Sequence, residues 1–298
     1  QAIVPDTLDL AERARMGVNH FTSIISEKDD YEMYWRADFC PSDQWAWPGH
    51  MWFNCSPLQT TQAKAMRALV MGRIASGSQQ NLEREAKMLE MMLSHIGEDG
   101  LYYVVPTGGR KPWLGQEEDR PYAHVHGQER MMEAMIAWYQ YTGDPVWKER
   151  IDKMVDGWDR LMVAHKDDYA YFPTHGLIAE DYMNSSYVKG RGWKDTEEPT
   201  TEKGSEEGSV FNHQAPMADA LVNWYKLTGN EQALRLAGEL IRFLTKPKFW
   251  ADWKGGEYPG VVGAEHAHWQ GHFHGHMSAL KSILEYAVAT NDSKLKAF

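Results

Sequence analysis

Met132-Glu-Ala-Met-Ile-Ala-Trp-Tyr-Gln-Tyr-Thr-Gly-Asp144 and Met217-Ala-Asp-Ala-Leu-Val-Asn-Trp-Tyr-Lys-Leu-Thr-Gly-Asn230 are two versions of one phrase. In both, apolar residues recur about every 3.6 positions, which is the period of a helix with one buried face. Each run ends on Trp-Tyr and then on Thr-Gly followed by Asp or Asn. Gly143 and Gly229 suit a left-handed residue closing a helix, and Asp144 or Asn230 can cap the helix that returns. Each phrase is therefore one helix, a tight turn and the start of a second helix.

The tail repeats it as Met277-Ser-Ala-Leu-Lys-Ser-Ile-Leu-Glu-Tyr-Ala-Val-Ala-Thr-Asn-Asp292, with Asn291 in the place of the glycine. A degenerate fourth copy runs from Thr60 to Ile96 and turns at Ser76-Gly77-Ser78. Repetition at this scale predicts an all-α fold of stacked helical hairpins. Between the hairpins lie long connections at about residues 27–57, 97–126, 166–212 and 247–271, rich in Gly, Pro, Trp and Tyr. Loops of this length inside a compact chain are usually functional or disordered. Three of them lead into the first helix of the next hairpin, so hairpins arranged around an axis would gather these loops on one rim. The short Thr-Gly turns would fall on the other.

The turns Thr142-Gly143-Asp144 and Thr228-Gly229-Asn230, with the aromatic helix ends Trp138-Tyr139 and Trp224-Tyr225, resemble the six-hairpin glycosidase superfamily of (α/α)6 toroids. The resemblance spans most of the chain and lies in architecture; none of these residues is catalytic. It implies a carbohydrate-active enzyme, since the superfamily includes glycoside hydrolases, unsaturated-uronyl hydrolases, polysaccharide lyases and sugar epimerases. The pattern departs from a closed toroid, with about nine helices where twelve are needed and a ninth beginning just as the chain reaches Phe298. The expectation is one α/α-toroid domain over residues 1–298 that lacks its last hairpins, or a smaller or open toroid.

Composition narrows the partners. The chain has 298 residues, 43% of them hydrophobic, enough for a sizeable core. A formal net charge of −11 with no cluster of Lys and Arg argues against nucleic acid. No apolar stretch approaches the roughly 20 residues of a membrane span. The sequence begins at Gln1, which reads as a processed or trimmed chain and is compatible with a periplasmic or secreted protein. Cys40 and Cys55 flank a tryptophan-rich loop and can form a disulfide in an oxidising compartment or stay free thiols. Thirteen Trp and fourteen Tyr supply flat apolar faces of the kind that line ligand pockets.

Chemistry gathers where residues 263–276 read Gly-Ala-Glu-His-Ala-His-Trp-Gln-Gly-His-Phe-His-Gly-His. Glu265, His266, His268, Trp269, His272, His274 and His276 lie just ahead of the third helical phrase. Histidine can donate or accept a proton near neutrality, or bind a metal. His272 and His276 stand four apart, so a divalent metal shared with His266, His268 and Glu265 is one reading. There is no His-Glu-x-x-His motif, and the preferred reading is a polar sugar pocket without a cofactor. The tract is echoed by Tyr122-Ala-His-Val-His-Gly-Gln-Glu-Arg130, which offers His124, His126 and Glu129 in a predicted first helical turn. It is echoed again by Ser209-Val-Phe-Asn-His-Gln-Ala-Pro-Met217, which offers Asn212 and His213. Asn212 and Glu129 also suit plain helix-capping roles.

Two further segments extend the rim. Tyr31-Glu-Met-Tyr-Trp-Arg-Ala-Asp38, continued by Trp45, Trp47, His50 and Trp52, places Trp35, Arg36 and Trp52 as a stacking platform for sugar rings. Phe172 to Tyr182 carries Glu180 and Asp181, whereas the Glu-rich run Thr196 to Gly208 reads as a solvated surface excursion. Glycosidic cleavage needs one protonated and one ionised carboxyl group, so Glu265, Glu129 and Asp181, with His272, are the catalytic candidates. The expected function is a glycoside hydrolase acting on an oligosaccharide or polysaccharide, with uronic acids accommodated by Arg36, Arg130 or Arg191. A lyase or epimerase using His or Tyr as base is the alternative, because it needs proton abstraction beside a carbonyl or carboxylate. A non-catalytic helical-repeat binding module is the third.

Overall fold

The computed structural model describes residues 9–33, 36–38, 50–52, 62–104, 120–165, 168–173, 186–200, 210–250 and 273–298. Its helices are α1 (Leu10–Ser23), α2 (Gln62–Ser76), α3 (Leu82–Ser94), α4 (Val125–Thr142), α5 (Pro145–Leu161), α6 (Val210–Thr228), α7 (Glu231–Leu244), α8 (Phe273–Thr290) and the single turn α9 (Ser293–Lys296). Short strands lie between them: β1 (Ile25–Ser26), β2 (Glu32–Met33), β3 (Arg36–Asp38), β4 (His50–Trp52), β5 (Tyr122–His124), β6 (Val163–His165), β7 (Tyr169–Tyr171) and β8 (Ser186–Val188). They form separate two-stranded antiparallel pairs, β1 with β2, β3 with β4, β5 with β8 and β6 with β7. Strands this short cannot build a core, so the architecture is all-α, with the layering of an (α/α) toroid.

Helices α2, α4, α6 and α8 pack one on the next as an inner series, and α5 and α7 back α4 and α6. The reason is written in the faces of the helices. In α7 the buried residues are Ala233, Leu236, Ala237, Gly238, Leu240, Ile241, Phe243 and Leu244, one face at helical spacing, with Arg235 on the exposed side. Inner helices are buried on more sides, and α6 hides thirteen residues from Val210 through Trp224. Between the layers sit Trp158, Trp224, Met131, Met132, Met154 and Leu240, all at 0% exposure. Each such side chain contributes about 1.5–3 kcal/mol of burial. No helix among the described residues is long and apolar enough to cross a membrane.

The turns behave as their residues predict. Gly77, Gly143, Gly229 and Asn291 all adopt left-handed φ values, from 55° to 74°. Asp144 accepts the Val146 N–H at 2.9 Å and Asn230 accepts that of Ala233 at 2.9 Å, which starts α5 and α7. Asp292 caps α9 in the same way.

One part of the repeat is visible only in space. Gln62, Gln128 and Gln214 each stand fourteen residues ahead of a turn, at Ser76, Thr142 and Thr228. Each is buried near the start of an inner helix, and each grips the backbone of the connection that precedes it. The Gln214 amide accepts the Phe172 N–H at 2.9 Å and donates to the Phe172 carbonyl at 2.7 Å. Gln128 does the same to Tyr102, at 3.0 and 2.5 Å. Gln62 accepts from Met33 at 3.2 Å and donates to Tyr31 at 3.1 Å. A primary amide carries one acceptor and one donor in a fork, which matches an extended residue's own N–H and C=O. The fourth position is His276, whose ring packs edge-on against Phe211 and Trp250.

The connections expected as loops thus carry local pairing in several of their described parts. The β6–β7 hairpin leads from α5 to the Phe172 anchor, and a bridge between Ile96 and Tyr102 leads from α3 to the Tyr102 anchor. The turn within that second connection sits directly on α5: Gly100 has φ 80°, and a Cβ there would collide with the Lys153 carbonyl. Strands β5 and β8 tie two different connections together, pairing Tyr122 with Val188 and His124 with Ser186.

Candidate active site

The β5–α4 junction turns the chain abruptly. His124 is the last strand residue, with φ −89° and ψ 134°, and α4 begins at Val125, so His124 occupies the N-cap position without capping through its side chain. Its ring is released to pack with others. His124 lies 6.2 Å from His126 and 6.3 Å from His213, centroid to centroid, both near edge-on. His126 and His213 stack at 4.6 Å with 25° between their planes. Two consecutive inner helices, α4 and α6, thereby supply one cluster of three imidazoles.

His213 and His124 are buried, whereas His126 keeps partial access to solvent. His126 Nε2 lies 2.6 Å from the backbone carbonyl of Asn212. A carbonyl only accepts, so this contact requires the Nε2–H form of the ring. Burial is the main cause holding the His126 imidazolium well below its ordinary range; His213, His124 and Arg130 add to it, and the Asn212 carbonyl opposes. His126 is therefore a neutral imidazole at physiological pH.

Glu129 lies one turn further along α4, three residues from His126 and on the same side of the helix. It falls in the second turn of the helix rather than the first, because α4 starts earlier than the capping pattern suggested, and it plays no capping part. Only 3% of it is exposed. Burial raises its carboxyl to about 7, with Glu133 and Asp219 pushing the same way against Arg130 and Lys64. Arg130 Nη1 donates to Oε1 at 3.0 Å, while Oε2 faces Arg130 Nε at 3.0 Å without the alignment of a hydrogen bond. The pair with Arg130 favours the carboxylate, and burial outweighs it.

Below Glu129 runs a belt of charge. Arg67 of α2 pairs with Glu133 of α4 at 2.9 Å, Asn223 of α6 donates to Glu133 at 3.0 Å, and Lys281 of α8 pairs with Asp219 of α6 at 2.6 Å. Arg67, Glu133, Asp219 and Lys281 stand at equivalent repeat positions, nine residues before Ser76, Thr142, Thr228 and Thr290. Sequence reading passed over them, and over Lys64; once the hairpins are aligned, one charged residue per inner helix at a constant distance from the turn is the signal.

The structure thus brings together His124, His126, Glu129, Asn212 and His213. Asn212 is not an N-cap: α6 starts at Val210, and the residue contributes its backbone carbonyl. His274 occupies the corresponding place at the start of α8 and is exposed, while His276 is buried in aromatic packing. Arg36 and Trp52 are backbone partners in the β3–β4 pair. Glu265, His266, His268, Trp269, His272, Asp181, Glu180, Trp35, Cys40 and Cys55 lie outside the described residues, and with them most of the histidine tract read as a metal or sugar site. The Glu-rich run is not wholly solvated: Glu198 accepts from Lys246 at 2.7 Å, Lys248 at 2.5 Å and Tyr169 at 2.5 Å. Burial opposes its ionisation, but these partners outweigh it and hold the carboxyl at about 2. That cluster braces the β6–β7 hairpin and is structural.

No family model matches the chain, and no curated protein matches its sequence. Solved structures do. A D-mannose isomerase superposes with a TM-score of 0.55 over 100% of this chain and 75% of its own, at 15% identity. A GH76 α-mannanase of Bacteroides thetaiotaomicron, as its selenomethionine derivative, gives 0.50 over 96% and 71%, at 10% identity. At such identities the shared property is the helical toroid fold, which hosts unrelated reactions.

Proposed function

We propose that this chain is a carbohydrate-active enzyme that works by general acid–base catalysis, with Glu129 as the group that carries the proton and His126 as the group that accepts one. The observation that carries the reading is the buried Glu129 carboxyl at about 7 on the same helical face as an imidazole that stays neutral. Two groups whose surroundings push them to opposite protonation states divide the work of proton donor and acceptor. On an open-chain sugar, His126 would remove the proton from the carbon beside the carbonyl while Glu129 protonates the carbonyl oxygen. The resulting enediol collapses to an isomer or epimer when the protons return. The sugar isomerase among the fold relatives supports this assignment by analogy of fold.

Glycoside hydrolysis is the second reading, favoured by a separate observation. Glu133 and Asp219 lie near enough to raise the Glu129 carboxyl and are themselves paired with Arg67 and Lys281, which suits ionised partners for a protonated Glu129. Glu265 and Asp181 remain candidates for that second carboxylate. The two readings part cleanly in heavy water. Incubation with aldoses and with oligosaccharides, followed by NMR, should show deuterium entering the carbon next to the carbonyl, and His126→Gln and Glu129→Gln should each abolish it. Release of new reducing ends without carbon-bound exchange would establish hydrolysis. A new carbon–carbon double bond in the product would establish elimination. No turnover of any sugar by the wild-type chain would remove both readings.

A further inference from the structure

The contact between His126 and Asn212 has a cause in the sequence of the neighbouring helix. In a regular helix the carbonyl of residue 212 accepts the N–H of residue 216, four positions on. Here residue 216 is proline, set inside α6 and within its buried stretch. Proline has no N–H and its ring crowds the carbonyl four residues back, and for that reason it is costly in a helix interior, at about 3 kcal/mol. The carbonyl that cannot receive an N–H from residue 216 is that of Asn212, and His126 Nε2, from a different helix, meets it at 2.6 Å.

We propose that Pro216 is a positioning residue: by withholding an amide hydrogen from the Asn212 carbonyl it leaves that oxygen to accept the Nε2–H of His126, which fixes the ring as the tautomer whose Nδ1 holds the lone pair. The inference deepens the acid–base reading above and rests on it for its catalytic meaning. An imidazole can serve as base only through the nitrogen without hydrogen, so a hydrogen bond at one nitrogen selects which face of the ring reacts. The same device appears where a partner holds a catalytic histidine in one tautomer, and losing it there costs about 10⁴ in rate. Of the other groups facing His126, His213 stacks on its plane, His124 meets it near edge-on, and Arg130 carries the same sign of charge as an imidazolium.

The test uses the full chain labelled with ¹⁵N-histidine and ¹³C-carbonyl asparagine. In the wild type, two-bond proton–nitrogen spectra should show His126 with a protonated Nε2 and a bare Nδ1, coupled through the hydrogen bond to the Asn212 carbonyl. A proton on Nδ1 instead, or on both nitrogens at neutral pH, overturns the proposal without any variant. Pro216→Ala restores an N–H that competes for the carbonyl; the Nδ1–H tautomer should then appear and kcat should fall by about tenfold with KM little changed, short of the full loss a wholly wrong tautomer causes. Pro216→Ser restores the same N–H and replaces the alanine variant if that one fails to fold. An unchanged His126 spectrum in a folded variant overturns the role of Pro216. Failure of the acid–base reading looks different: the tautomer would be as described, yet His126→Gln would retain full activity on sugars.

Discussion

His126 and His213 lie face to face, ring centroids 4.6 Å apart and planes 25° from parallel, although they come from different helices. Two imidazolium ions cannot share that separation at low cost, and burial already disfavours one. The folded state therefore binds a proton at His126 less readily than the unfolded chain does. A group depressed in this way contributes stability that is fully present above its ordinary value of about 6.5 and is lost as pH falls below it. Taken alone, His126 lowers the melting temperature as pH falls from 7.5 to 5, while Glu129 acts in the opposite direction over the same range. The His126→Gln variant should show a flatter decline over the same range; an identical slope in the two proteins would mean that other groups govern it.

Glu129 has the opposite sign. Its carboxyl stands at about 7 in the folded chain, so its ionisation costs stability as pH rises from about 4.5 through that value. Glu129→Gln should accordingly raise stability at pH 8 by about 1–3 kcal/mol in urea titrations, and change little at pH 4. The same substitution should lower kcat by roughly 10²–10⁴. A variant less stable than wild type at pH 8 would contradict the burial argument.

The pH profile of activity follows from both groups together. The acid must keep its proton, so kcat/KM should fall above about pH 7, while the base stays unprotonated well below the usual histidine range. The expected curve is a plateau on the acid side with a single descending limb on the alkaline side, read from initial rates. A rate that climbs between pH 6 and 8 would reverse the assignment of acid and base.

Gln214 offers a structural test away from the chemistry. Its removal leaves the Phe172 N–H and C=O without their partner in a buried setting. Gln214→Ala should destabilise the chain by about 2–4 kcal/mol. Gln214→Glu keeps the acceptor but not the donor, and should cost at least as much near neutral pH because a charge is then buried. Losses below about 0.5 kcal/mol would show that the anchor does not hold the connection.

Arg73 and Glu85 form the most enclosed ion pair among the described residues, at 2.6 Å with both side chains 2% exposed. Arg73 also donates to the carbonyls of Ser78 and Gln80, stitching the turn between α2 and α3. Glu85→Gln or Arg73→Met alone should cost about 3–5 kcal/mol, since each strands a buried charge, while the double change to apolar residues of similar volume should recover most of the loss. A double variant as unstable as the sum of the singles would show that the carbonyl contacts, not the charges, dominate.

Much of the scaffold was legible because helical period, Thr-Gly turns and Asp or Asn caps are local properties. Gly143, Gly229 and Asn291 act as their types require, and the hairpins fall where the phrases end. The site was legible in part. His124, His126, Glu129, Asn212 and His213 were recognisable as titratable or polar residues ahead of inner helices, and the fold brings them together. Their roles were not: whether Glu129 caps a helix or holds a proton depends on burial from α2 and α6, and Asn212 acts through a backbone atom that no side-chain pattern displays. The contribution of Pro216 is of the same kind. Its missing N–H is plain in the sequence, but the contact of the Asn212 carbonyl with His126 on another helix is not.

The three glutamine anchors have a consequence for how such a chain can change. Because Gln62, Gln128 and Gln214 fasten each connection at a fixed point before it leads to the next inner helix, the scaffold side of each connection is held whatever follows the anchor, while β5, β8 and Glu198 remain tied back to it. Any exchange of chain between Phe172 and Val210 therefore has to keep β8 and Glu198 as well as Gln214 in place.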